Sequence, residues 1–296
     1  MKYIPHKALA YVEKHFKTYP DLSTSSRCKQ SESLSSYYDA KKKRFHVHRH
    51  DKRKSGKQEL YFEHSEGVIR THIAAHRIKF FDLKRYATDR ELATYHGFPN
   101  DFKLPKTKVN NLFGNTVSVP VAKHVISLVV GNQTPPRTML DLCSGIGGFH
   151  VAAKQLYPTI ECMGFSDIKP AAIACYQDNF PTVPALGNLI QCESLPQVDL
   201  LCAGFPCQPF SKACTIKERH KLSGMYLHVM AAIEKSNATF VVLENVKGII
   251  RHPVFKTIIE TFEDMDYTIG WQIYNSKHFG LKQDRNRLYM YACKNR

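Results

Sequence analysis

From residue 138 onward, short apolar runs alternate with longer stretches of helical period. Thr138–Cys143, Cys162–Phe165, Leu200–Ala203 and Phe240–Leu243 are nearly continuous in apolar residues, as strands buried on both faces of a parallel sheet must be. Helical stretches follow the first run as far as Tyr157 and the third from about Tyr226 to Lys235, and a last strand covers Leu288–Cys293. This alternation predicts an α/β fold, a doubly wound Rossmann-like sheet built from residues 113–296.

The first third of the chain is patterned differently. Leu9, Val12 and Phe16 stand at helical spacing within residues 1–20, whereas Ser23–Ser36 is poor in apolar residues and reads as a loop. Strands are expected across His46–His50, Leu60–Phe62 and Val68–Ala74, with a connector at Lys79–Leu83. Arg85–Ala93 carries a helix start signal, Thr88 as N-cap with Glu91 three residues on, and this helix stops before His96-Gly97-Phe98-Pro99. Phe113–Val121 opens another helix that runs through Val130.

Charge sharpens the division. The formal net charge is +16, and residues 1–90 hold 21 Lys and Arg against 10 Asp and Glu, whereas residues 91–296 hold 21 against 16. Lysines and arginines gathered in one region give sequence-independent affinity for phosphates, so the basic run is a candidate polyanion surface, with Lys42, Lys43, Arg44 and Arg53 its leading candidates. His46, His48 and His50 alternate along the same run without the neighbouring Cys or carboxylate set that a metal site needs, so no metal is expected. The nine cysteines form no CxxC pair, which fits a reducing compartment better than a disulfide framework. With no signal-peptide pattern and no apolar run of about 18 residues, a soluble chain without membrane contact is expected.

Candidate chemistry gathers where the apolar runs end. The first meets Ser144-Gly145-Ile146-Gly147-Gly148, a glycine turn into a helix that lets a ligand approach the backbone, and the second ends at Asp167, an acidic side chain about 25 residues further on and placed to hold ribose hydroxyls. Those features alone allow NAD or another nucleoside cofactor. The third run ends in Gly204-Phe205-Pro206-Cys207-Gln208-Pro209, which puts a thiol on a tight turn at the edge where open α/β sheets bind ligands. Glu244 closes the fourth run, and a carboxylate there is costly unless it has a partner or a task. Alternation sets Arg285 and Arg287 on one face, as candidates to balance Glu244 and charge developing on a substrate. The basic loop Lys212–Leu222, with Lys212, Lys217 and Arg219, is a candidate lid over nucleic acid.

Gly-Phe-Pro-Cys-Gln-Pro-Phe-Ser at 204–211, Glu-Asn-Val at 244–246 and Gln-x-Arg-x-Arg at 283–287 resemble the motifs of the cytosine-5 DNA methyltransferases. The Arg85–Thr88–Glu91 helix ending in Gly-Phe-Pro and the segment Gly114-Asn115-Thr116-Val117 resemble the motifs that usually close such chains. Here they precede the glycine turn, which suggests a circular permutation, with residues 1–84 as target-recognition domain and 85–296 as catalytic domain. The resemblance implies S-adenosylmethionine as cofactor, held by Cys143, Ile146, Gly148, Asp167, Ile168, Asn188, Leu189, Gly204, Pro206, Asn115 and Thr116. It implies Cys207 as nucleophile, Glu244 on the base, Arg287 orienting Glu244, and Arg285 in support. Two positions depart from the pattern, Cys143 where Phe is common and Asn188 where Asp is common. The implied reaction is methylation of C5 of a flipped cytosine in double-stranded DNA by a monomeric, cytoplasmic prokaryotic or phage modification enzyme of a restriction-modification system. A second subunit, a tRNA-modifying enzyme and a catalytically silent DNA-binding relative remain open.

Overall fold

The two halves of the sequence pattern fold as two sheets, bridged by a third of two short strands, one from each half. A computed structural model describes residues 26–31, 34–41, 43–50, 57–74, 77–206 and 224–295. In the N-terminal region β1 (Ser26–Ser31), β2 (Leu34–Asp39), β3 (Arg44–His50) and β4 (Lys57–Glu63) form an antiparallel meander. After β5 (Ile69–Arg70), β6 (Lys79–Phe80) and β7 (Arg85–Tyr86) complete a six-stranded sheet in the order β1-β2-β3-β4-β6-β7. The expected loop at Ser23–Ser36 is thus replaced, over its described residues, by β1 and the start of β2: ladder pairing with β3 overrides a serine-rich composition. Residues 1–20, with the expected short helix, lie outside the described residues.

The chain continues through α1 (Asp89–Tyr95), α2 (Val109–Asn115) and α3 (Val119–Val130). Then follow β8 (Thr138–Leu142), α4 (Gly148–Leu156), β9 (Glu161–Ser166), α5 (Pro170–Asn179), β10 (Ala185–Gly187) and β11 (Leu200–Ala203). Last come α6 (Met225–Ser236), β12 (Phe240–Asn245), α7 (Pro253–Asp264), β13 (Tyr267–Asn275), β14 (Gln283–Asp284) and β15 (Asn286–Lys294). The main sheet runs β10-β9-β8-β11-β12-β15-β13; its first five members are parallel and β15 is antiparallel to both neighbours.

Alternation along the buried strands builds two cores. Met139, Leu200, Cys202, Phe240 and Val242 pack with α3 and α4 on one face, and Leu140, Leu142, Leu201, Ala203, Val241 and Leu243 with α6 and α7 on the other. The 109–130 stretch is apolar enough to cross a membrane by length and composition, but 67% of it is buried inside the fold, where Val121, Val125 and Val129 face the sheet. Thr88 caps α1 as expected: its Oγ1 accepts the Glu91 N–H at 3.1 Å and its own N–H donates to Glu91 Oε2 at 2.6 Å. The single helix expected from 113 to 130 is broken at Thr116, which is extended, into α2 and α3.

The expected boundary at residue 84 is crossed in both directions. β7 belongs to the small sheet, and β5 leaves it to pair in parallel with β14, Ile69 opposite Gln283 and Arg70 opposite Asp284. Of the expected strand Val68–Ala74 only those two residues form a strand, with Ile73 in an isolated bridge further on. Beyond them the chain is a strap held by side chains: His72 N–H donates to Gln283 Oε1 at 3.0 Å and Thr71 Oγ1 to the Asp284 carbonyl at 2.7 Å. The strap presses on α2 so closely that a Cβ at Gly114 would stand 2.3 Å from the Ala74 nitrogen, so no other residue fits there.

Within the strap, His72 Nε2 bonds Asn110 Oδ1 at 2.8 Å and its Nδ1 faces His96 Nε2 at 3.4 Å. Burial, reinforced by Arg285, Arg77 and Arg70, pulls His72 down to about 4, and burial with Arg285, His72 and Arg287 pulls His96 well below its usual value. Both rings are neutral in the folded chain and take up protons near 6.5 when it unfolds, so the unfolded state binds more protons and stability rises with pH. Their contribution is complete above pH 6.5 and lost as pH falls toward about 4. Urea midpoints should show a loss of about 2 kcal/mol from His72 alone between pH 7.5 and pH 5, removed in a His72→Asn variant.

Candidate active site

The ends of β8, β9, β10, β11 and β12 meet at one edge of the main sheet. The turn after β8 begins with Cys143 in the left-handed region at φ 50°. It is fixed by the Ser144 N–H, which donates to the Ser166 carbonyl at 2.9 Å, and by the Gly145 N–H, which donates to Asp167 Oδ2 at 2.9 Å. Asp167 Oδ1 accepts the Lys169 N–H at 2.8 Å, so its carboxylate is set in place with lone pairs to spare. Ile168 stands 61% exposed beside it, and Asn188 caps the following turn by accepting the Ile190 N–H at 3.2 Å. The space a side chain would take at Gly145 and Gly187 is open.

Not every expected cofactor residue faces that space. Ile146 and Leu189 are buried, and burial pushes the Cys143 thiol up to about 12, which makes it inert. Gly148 has its missing side chain replaced by neighbours: a Cβ would stand 2.6 Å from Val117 Cγ2 and 3.1 Å from Thr116 Oγ1. Val117, Cys143 and Phe149 also surround Gly204. The Asn115–Val117 segment therefore walls the glycine turn, with Thr116 buried and Asn115 exposed. Asp141, beneath the turn, is fully buried, and burial pushes its carboxyl well up against the pull of the His150 N–H and the Tyr176 hydroxyl.

At the end of β12, Glu244 is buried and Arg287 Nε lies 3.1 Å from its Oε1. The strand register places Glu244 opposite Tyr289, so Arg287 reaches it diagonally across the antiparallel pair. The contact is ionic, out of hydrogen-bonding line, and leaves that buried oxygen without a hydrogen bond among the described residues. Burial raises the Glu244 carboxyl, and Arg287 and then Arg285 pull against it. One residue on, the buried Asn245 donates from Nδ2 to the Phe205 carbonyl at 3.2 Å while its Oδ1 accepts the Val246 N–H at 2.9 Å. That side chain continues the β11–β12 pairing beyond the last ladder residues, Ala203 and Leu243, and ties down the loop through Pro206 that leads to Cys207. Cys207, Lys212, Lys217 and Arg219, like Lys42 and Arg53, lie outside the described residues.

Two expectations are corrected. Arg44 does not face phosphates: it is buried, with Nε donating to Glu63 Oε2 at 2.6 Å and Nη2 to the Val68 carbonyl at 3.2 Å, because a strand residue on the inner face of the small sheet must spend its charge inside. Its neighbour Lys43 is exposed, in a loose pair with Glu66 at 3.7 Å. Arg285 does not share a face with Arg287, because the chain leaves the strand between β14 and β15 at that residue. Its Nη1 donates to the carbonyls of His72 at 3.0 Å and Gly114 at 3.3 Å, and its Nη2 to that of Thr116 at 2.7 Å. Asn245 and Gln283 stood in the sequence as motif letters without roles; only their buried polarity beside apolar strands marked them.

An open turn at the ends of β8 to β10 lies next to a paired, buried carboxylate at the end of β12, at the ligand-binding edge of an α/β sheet. The profile of the C-5 cytosine-specific DNA methylase family matches residues 6–130 and 137–296, and the chain belongs to that family. It is 39% identical over 168 residues to the type II methyltransferase M.MspI of Moraxella sp, an alignment that covers 53% of this chain and 38% of that protein. It is 35% identical over 159 residues to M.BanI of Aneurinibacillus aneurinilyticus, covering 51% and 37%. The alignments thus span less than two fifths of these relatives. Among solved structures, a DNMT2 variant of Spodoptera frugiperda superposes with a TM-score of 0.46 at 27% identity, over 54% of this chain and 50% of that one.

The family's methyl donor is S-adenosylmethionine, and the residues present fit it. The open side of Gly145 and Gly187, the held Asp167 carboxylate and the exposed Ile168 leave room, an acceptor and an apolar surface for a nucleoside group. Replacing Glu244 by Gln keeps its shape but removes the carboxylate. This variant should lose about two orders of magnitude or more in kcat with binding of S-adenosylmethionine retained, measured by single-turnover methyl transfer and equilibrium dialysis.

Proposed function

We propose that this chain methylates C5 of cytosine in duplex DNA through a covalent adduct of Cys207, as a sequence-specific modification enzyme. The observation that carries the reading is the buried Glu244–Arg287 pair at the end of β12, joined through Asn245 to the loop that enters Cys207. Cytosine C5 is a poor nucleophile, and addition of a thiolate to C6 makes the ring enamine-like, which divides one hard step into easier ones. Burial suits Glu244 to hold a proton at N3 of the base, where it would draw electron density from C6 as Cys207 attacks. Arg287 fixes Glu244 and offers its remaining donors to the base. S-adenosylmethionine, when bound, supplies an electrophilic methyl group. Loss of the C5 proton to solvent then expels Cys207.

A stacked cytosine cannot reach a pocket of this kind, so the base leaves the helix at a cost of a few kcal/mol. The excess of lysine and arginine in the first 90 residues and in 212–221 supplies the phosphate contacts that offset it, with Lys42, Lys43, Arg53, Lys212, Lys217 and Arg219 as the leading residues. Circular permutation is supported by the family match in two segments and by curated alignments that each follow only about half of the chain. Two relatives are orphan methyltransferases of Bacillus phages and others type II methyltransferases of bacteria, which supports a bacterial or phage enzyme working in the cytoplasm.

Tritium transfer from labelled S-adenosylmethionine to duplex DNA and to tRNA, followed by base analysis, tests the reading. Label is expected in duplex DNA as 5-methylcytosine and to fall by at least about 1000-fold in Cys207→Ala. Label confined to tRNA, or full activity in Cys207→Ala, would overturn it.

A further inference from the structure

Arg285 is 2% exposed and binds three backbone carbonyls from parts of the chain far apart in sequence: His72 in the strap, Gly114 in the last turn of α2, and Thr116 just after it. The carbonyls at a helix C-terminus lack intrahelical partners, and a cation there satisfies them. Through Thr116 the same guanidinium sets the segment that walls the glycine turn, since Thr116 and Val117 fill the place of a side chain at Gly148. Through His72 it holds the strap, which has its own ties to β14 by way of Gln283 and Thr71. One side chain therefore links a chain entering from the small sheet to the wall of the cofactor cradle.

We propose that Arg285 is a positioning residue for the cofactor, and that docking of the strap 69–74 is transmitted through it to the affinity for S-adenosylmethionine. The assignment rests on the reading that the cradle holds that cofactor. It separates the two arginines of one short motif: Arg287 serves the Glu244 carboxylate, and Arg285 serves the backbone that shapes the neighbouring cradle. Lysine cannot replace Arg285, because a compact ammonium lacks the rigid planar fork that reaches three carbonyls at once.

Equilibrium dialysis of labelled S-adenosylmethionine against the full chain, without DNA and without turnover, distinguishes these roles. Arg285→Lys is expected to raise Kd about tenfold, a difference of about 1.4 kcal/mol. Arg287→Lys is expected to leave Kd within about twofold. Thr71→Val, which removes only the strap's bond to the Asp284 carbonyl, is expected to raise Kd by about twofold to threefold, and it decides the matter should Arg285→Lys fail to fold. Wild-type affinity in Thr71→Val and in folded Arg285→Lys, or a rise in Arg287→Lys equal to that in Arg285→Lys, would overturn the proposal while leaving the cofactor reading intact. No binding by the unsubstituted chain would overturn both.

Discussion

A guanidinium stays charged at any pH the protein meets, so burying one obliges the fold to surround it with acceptors. This chain buries Arg285 and half-buries Arg287, and much of the site follows from how each is satisfied. Arg287 has a carboxylate, Glu244, whose own burial is tolerated because the pair lies at the strand ends rather than deep between the layers. Arg285 donates to three carbonyls, delivered by α2, by the turn after it and by the strap. Taking away any one of them leaves a buried donor unpaired, at a cost of about 1–3 kcal/mol.

The same economy recurs around the sheet edge. Where the β11–β12 ladder ends, the Asn245 amide takes over and keeps the loop after Ala203 in register with the strand that carries Glu244. Where β8 ends, Asp167 receives the Gly145 N–H and in turn is held by Lys169. Asp167 and Glu244 are thus each held by a neighbour one strand away, so their geometry is set before any ligand arrives, which is the condition for rate enhancement by positioning.

The central strands β8, β9, β11 and β12 were legible in the sequence because they are largely buried and read as apolar runs, whereas the edge strands β10 and β13, half exposed, were not; α1 was legible because its capping box is a local signal that the fold leaves in place. Glu244 stood out for the same reason, a carboxylate closing an apolar run. The small sheet was harder. β1 and β2 are built from serine-rich sequence whose pairing depends on strands further along the chain. The exposure of Arg44 and the face of Arg285 were misread on one principle: charge in a sequence marks a surface or site only until a partner distant in the chain is known, and Glu63 and the carbonyl of His72 lie 19 and 213 residues away. Alternation failed at Arg285 because the strand it was counted along is interrupted at that residue.

The central claim is that the thiol following the tied loop attacks cytosine beside Glu244. Duplex DNA carrying 5-fluorocytosine tests it most directly, since fluorine at C5 cannot leave as a proton does and the adduct persists. Incubation with S-adenosylmethionine, denaturation and peptide mass mapping should yield a stable protein–DNA conjugate joined at Cys207, absent in Cys207→Ala and formed much more slowly in Glu244→Gln. No conjugate with an actively methylating preparation, or a conjugate at any other cysteine, would contradict the account.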